Sequence, residues 1–126
     1  MHLAITERQI GTVTVLDLVG RLTVDQEAQR LKDKVNSLIQ QARTNIVLNL
    51  ADVSYIDSGG LGQLVASYGS VAKTTGGVKL LHVNKRNHDL LSITRLVTVF
   101  DTFDSEDDAV KSFSQRAVDS AAARAI

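Results

Sequence analysis

The chain has no cysteine and no proline, only 4% aromatic residues, and no net charge: fourteen Lys and Arg balance fourteen Asp and Glu over 126 residues. Each absence excludes something. Without cysteine there are no disulfides, no thiol catalysis and no cysteine-bound metal, which suits a reducing compartment. Without proline, every break between elements must be made by Gly, Asn, Asp or Ser. Few aromatics argue against a base-stacking platform. Balanced charge leaves no bulk field to draw the chain to nucleic acid or to an anionic membrane. No apolar run approaches the ~18 residues of a membrane span, and the start "MHLAITERQIG" lacks the charged head and apolar core of a signal peptide. The expectation is a cytoplasmic protein. The three histidines, His2, His82 and His88, have no metal-ligand spacing, so neither a metal nor a cofactor is expected.

What the chain does have is 44% hydrophobic residues, enough at this length for one domain that buries about two thirds of its unfolded surface. "LAITERQ" (3–9) and "TVTVLDLVG" (12–20) are rich in β-branched residues and read as an antiparallel hairpin turning at Ile10-Gly11. Ala28, Leu31, Val35, Leu38 and Ile39 then recur at helical spacing, with Thr23 and Gln26 as a capping box, predicting a helix over 24–41. "NIVLNL" (45–50) has the continuous apolar character of a central strand covered on both faces. Leu61, Leu64, Val65, Tyr68, Val71 and Ala72 form a second helical stripe stopped by Gly76-Gly77. "VKLLHV" (78–83) is the next strand. Asn84 caps a third helix with Leu90, Leu91, Ile93 and Leu96 inward. "VTVF" (97–100) reads as a short strand or link, and Ser105 with Asp108 opens a fourth helix carrying Ala109, Val110, Phe113 and Ala117. The order is ββαβαβαβα, an α/β fold with a mixed, mostly parallel sheet of four or five strands. The domain is expected over 1–118, with 119–126 a frayed tail.

One junction departs from what stability alone requires. In "SYIDSGGLGQLVASY" (54–68), Ser58 stands at or beside a helix N-cap, yet Asp57 can cap equally well, and Gly59 and Gly60 each cost about 1 kcal/mol of helix propensity. Side-chain-free positions after an exposed hydroxyl suit close approach by another macromolecule. A hydrolase reading is weak: His82 is the one candidate base, and Ile56 stands where a nucleophile elbow needs glycine. "GGLG" also lacks the rest of a dinucleotide or phosphate-loop motif. Lys85 and Arg86 read as a solvated helix start, and Arg30, Lys32 and Lys34 as solvated surface.

Together, "LVGRLTVDQEAQRL", "IVLNLADVSYIDSGGLGQLVASY" and "VKLLHVNKRNHDLLSITRLVTVFDTFDSEDDAVKSF" resemble the STAS domain of bacterial anti-sigma factor antagonists, from about residue 3 to 115. The most specific element is the strand, Asp-Ser, small residue, Gly-Leu-Gly, helix succession. The resemblance implies a non-catalytic protein that binds an anti-sigma factor which is itself a serine kinase, ATP-dependent with a histidine-kinase-like fold. It implies phosphorylation at Ser58 as the off state, a serine phosphatase for reset, and no direct contact with nucleic acid or membrane. The residue after Ser58, often Ser or Thr in that family, is Gly59 here, leaving one acceptor. Asp57, Ser58, Gly59, Gly60, Thr23 and Asp25 are the implied partner contacts, although Asp25 also suits the first turn of the first helix. The alternatives are an unmodified STAS scaffold subunit of a signalling complex or transporter, and small-ligand or nucleotide binding at the strand ends.

Overall fold

The computed structural model describes residues 3–24 and 26–114, with the side chains of 26–28 outside that description. Five strands and four helices follow the expected order: β1 (Ala4–Ile10), β2 (Val13–Leu22), α1 (Gln26–Gln40), β3 (Asn45–Ile56), α2 (Ser58–Ala72), β4 (Gly77–Leu81), α3 (Lys85–Ile93), β5 (Thr102–Phe103) and α4, described over 106–114. The sheet order is β1-β2-β3-β4-β5, with β1 antiparallel to β2 and every other pair parallel. Spatial order equals chain order, so successive right-handed crossovers lay α1, α2 and α3 on one face.

Strand alternation builds the two layers. Leu16, Leu18, Ile46, Leu48, Leu50, Val78 and Leu80 point to one face and pack with Leu31, Val35, Leu38, Leu61, Leu64, Val71 and Leu91. Val13, Val15, Val47 and Leu81 point the other way and are covered by Ala109 and Phe113 of α4. Ser105 caps α4 as expected, its hydroxyl accepting from the Asp108 N–H at 3.3 Å.

Several boundaries differ from the sequence reading, each for a local reason. The hairpin turns at Gly11-Thr12, with Ile10 paired to Val13 and Gly11 at φ +59°. β2 continues past Gly20, which stays in the strand at φ +122° beside a register shift and turns Leu22 into the core. β3 runs to Ile56 because β2 pairs with it from Ile46 to Ile56, while β4 pairs only as far as Asn49. Gly76-Gly77 is not a left-handed stop: α2 ends earlier at Lys73, and a Cβ on Gly76 would lie 2.0 Å from the Thr44 carbonyl oxygen. The 97–100 segment is not a strand, since Leu96–Thr98 forms a 3-10 turn and the strand follows at Thr102. Within α2, Val65 and Ala72 face outward, and Ser67 is buried instead. Ile93 is 81% exposed rather than inward, because two residues beyond buried Leu91 the helix has turned ~200°. The Gln26 half of the capping box, Asp25, Ala28's side chain, Ala117 and the 119–126 tail lie outside the described residues.

The β1 edge is fastened by ions. Arg8 donates to Asp17 at 2.6 and 3.0 Å and also to Glu106 of α4, while Asn49 donates to Asp17 at 2.7 Å. Glu7 pairs with Lys34 at 2.6 Å and with Arg43. The Arg8 hydrogen bonds, helped by Asn49, hold the Asp17 carboxyl below the usual carboxylate range. Its contribution to stability is therefore complete above the unfolded value of ~4 and is lost as pH falls through the folded value. Asp17→Asn is expected to lower stability at pH 7 and to flatten the decline as pH falls below about 4. Urea unfolding midpoints for both proteins across that window check it; parallel curves would contradict the assignment.

Candidate functional site

At the β3–α2 junction, Asp57 takes the N-cap with extended backbone (φ −94°, ψ −178°), and Ser58 is the first helical residue. One Asp57 carboxylate oxygen accepts from the Gly60 N–H at 2.8 Å, and the other accepts from the Val24 N–H at 3.1 Å. The Asp57 N–H donates to the Leu22 carbonyl at 3.1 Å, and its carbonyl accepts from the Leu61 N–H at 2.8 Å. This one residue therefore ties the end of β2 and the following loop to the start of α2. The cap is provided by Asp57 alone. Among the described residues, the exposed Ser58 hydroxyl makes no hydrogen bond, and the N–H groups of Ser58 and Gly59 have no acceptor within the helix.

The two glycines have an internal reason to be glycine. A Cβ on Gly60 would lie 2.1 Å from the Leu22 carbonyl oxygen, and one on Gly59 would lie 2.3 Å from the Val24 Cβ. The start of α2 is pressed against the end of β2, and the space on the Cβ side of both positions is filled by the chain itself. Gly62, two residues beyond Gly60, faces open space.

Ser58 opens onto a groove of about 520 Å³ lined by Tyr55, Ile56, Asp57, Ser58, Arg86, Asn87, Asp89, Leu90 and Ile93. α3 forms its far wall and is fixed there by two amides. Asn84 caps α3 by accepting from the Asn87 N–H at 2.8 Å, and both side chains donate to the Val53 carbonyl at 3.1 Å. That carbonyl belongs to the part of β3 that β4 no longer covers, so fully buried Asn87 occupies the place of a missing strand partner. Arg21, opposite Tyr55 in the parallel register, lies 5.2 Å from its ring centre, and Arg86 lies at 5.9 Å.

The structure thus brings together Asp57, Ser58, Gly59 and Gly60, and places Thr23 and Val24 beside them. Asp25 is outside the described residues. Tyr55, Arg86 and Ile93 were missed by the sequence reading. Arg86 looked like a solvated helix start, and Ile93 looked like core. His82 is exposed at φ +56° and does not line the groove. Among the described residues no cluster of three His, Asp or Glu could hold a metal, and no helix is long and apolar enough to cross a membrane.

The STAS domain model matches residues 4–109, which spans both layers of the fold and the whole Ser58 groove. The chain belongs to the STAS domain family. An anti-sigma-B factor antagonist of Bacillus subtilis is 31% identical over 101 residues, covering 80% of this chain and 91% of the relative. Among solved structures, the Bacillus cell fate determinant SpoIIAA, an anti-sigma factor antagonist, has a TM-score of 0.68 in both its unphosphorylated and phosphorylated forms. The two are 17% and 20% identical, covering 89% and 86% of this chain and 98% of each solved chain. A sulfate transporter family protein from Wolinella succinogenes has a TM-score of 0.73 at 21% identity, covering 86% of this chain and 89% of its own. The latter likenesses establish a shared fold.

The junction geometry separates neighbouring residues by sign. Asp57→Ala removes the cap and the Val24 tie and is expected to cost about 1 to 2 kcal/mol, whereas Ser58→Ala stays within about 0.5 kcal/mol. Thermal and urea unfolding of the two variants check this; a Ser58→Ala loss as large as that of Asp57→Ala would contradict the cap assignment. Gly60→Ala is expected to destabilise by about 1 to 3 kcal/mol through the Leu22 carbonyl clash. Gly62→Ala is expected to stabilise by up to about 1 kcal/mol from helix propensity. Equal effects at the two glycines, in the same unfolding assay, would contradict the close approach.

Proposed function

We propose that this STAS protein is an anti-sigma factor antagonist whose unphosphorylated Ser58 face binds an anti-sigma factor, and that phosphorylation of Ser58 ends the binding. The observation that carries this reading is that the Ser58 hydroxyl is exposed and structurally idle while Asp57 does the capping. A hydroxyl with no hydrogen bond among the described residues can be modified without unfolding the junction. The 31% identical relative bears the antagonist name, and the same fold accepts a phosphoryl group in SpoIIAA.

In the modification step, the Ser58 oxygen attacks the γ-phosphorus of ATP. The O–P bond forms as the bond to ADP breaks, and the hydroxyl proton passes to a base of the kinase. The kinase is taken to be the anti-sigma factor itself, and a serine phosphatase reverses the step. The product carries −1.5 to −2 charges and three acceptor oxygens, one residue from Asp57. The helix N-terminus tolerates that charge. A partner surface fitted to a neutral hydroxyl does not, and about 3 kcal/mol of like-charge and desolvation cost corresponds to about a hundredfold weaker binding. Thr23 and Gly59 border the same contact face, buried Gly60 shapes it from within by letting α2 start against Leu22, and Asp25 is carried with them from the family resemblance. An unmodified scaffold subunit would share this fold, and the transporter-family neighbour is similar at that level alone.

Calorimetry with the anti-sigma factor of the source organism tests the switch. Wild type and Ser58→Ala are expected to bind alike, and Ser58→Asp at least about tenfold more weakly, a carboxylate having only part of the phosphate charge. Equal affinity of Ser58→Asp and wild type would leave the scaffold reading in its place.

A further inference from the structure

The wall of the Ser58 groove formed by α3 carries a cation with little to hold it. Arg86 is exposed and lines the groove. Its guanidinium lies 5.9 Å from the Tyr55 ring centre, near the outer limit of a useful cation–π contact. Arg21 sits closer to the same ring at 5.2 Å, so Tyr55 keeps a cation if Arg86 leaves. Among the described residues Arg86 makes no ion pair, although Asp89 lines the same groove. The Asp57 carboxylate is already engaged by the Val24 and Gly60 N–H groups.

We infer that Arg86 is the receptor for the phosphoryl group on Ser58, leaving Tyr55 to hold that phosphomonoester across the groove. This rests on the Ser58 reading above. A guanidinium presents five donors in a planar fork, and a phosphoserine dianion offers three acceptor oxygens, a stronger attraction than one aromatic face. The bridge draws the arginine side chain from the α3 wall toward the Ser58 rim. Phosphorylation then rearranges the groove as well as charging it. The charged and titratable groups that line the groove with Ser58 are Asp57 from the junction, Asp89 and Arg86 from α3, and Tyr55 from β3, with Arg21 adjoining through the Tyr55 ring.

The test needs no kinase: phosphoserine is incorporated at position 58 during synthesis, and the phosphate is titrated by phosphorus NMR in the otherwise wild-type, Arg86→Gln and Arg86→Lys chains. The second ionisation, ordinarily near pH 6, is expected to lie about half a unit or more higher in Arg86→Gln than in the wild-type chain. Arg86→Lys, a cation without the fork, is expected between them. The Arg86 side-chain N–H resonances are expected to move on phosphorylation, and amide spectra confirm that each variant is folded. Coincident titrations of the Gln variant and wild type, or Arg86 resonances that do not move, would overturn the inference while leaving the switch intact. A phosphoserine-58 protein that still binds the anti-sigma factor would end the switch reading and leave the titration result standing.

Discussion

The Asp57 carboxylate is the fastening on which the rest of the site depends. Its two oxygens accept N–H groups from segments far apart along the chain, Val24 after β2, 33 residues before Asp57, and Gly60 in α2, three residues after it. A cap made by Ser58 would satisfy one helix donor and leave the β2 loop untied. Because the carboxylate reaches both, α2 starts against the end of β2, close enough that two residues must lack a Cβ. The cost in helix propensity at Gly59 and Gly60 is thus a packing requirement, and the idle Ser58 hydroxyl follows from it.

How much of this was legible beforehand depended on the range of the interactions. Element order was readable because it rests on local periodicity: Leu31, Val35 and Leu38 on α1, and Ile46 to Leu50 on β3, sit where their spacing put them. The caps at Asn84 and Ser105 were readable for the same reason. What was not legible required knowing a partner distant in sequence. Gly60 and Gly76 looked like a docking gap and a helix stop, yet each is set by a carbonyl of another segment, Leu22 and Thr44. Nothing within ten residues of either glycine encodes that carbonyl.

The same limit explains the missed half of the groove. Arg86 and Ile93 belong to a short helix whose periodicity is weak, and their role depends on β4 ending its pairing at Asn49 while β3 continues to Ile56. The uncovered length of β3 leaves the Val53 carbonyl without a strand partner. Asn84 and Asn87 supply one, which draws the first turn of α3 against the β3–α2 junction. A difference of seven residues between two strand lengths thus decides which side chains stand opposite Ser58.

Strand order bears on what kind of function such a site can have. In open α/β sheets, ligand crevices form where the order reverses and adjacent loops diverge to opposite faces. Here spatial order equals chain order, so the loops that follow β2 and β3 leave toward the same face and close on each other through Asp57. Leu22 and Val24 stand directly against the first turn of α2, which leaves no gap for a side chain between them. What remains beside Ser58 is a groove open to solvent, with an exposed hydroxyl at its rim and apolar and cationic side chains along its wall. That arrangement favours contact with another protein, and the effect of a phosphate there depends on whether α3 can answer it.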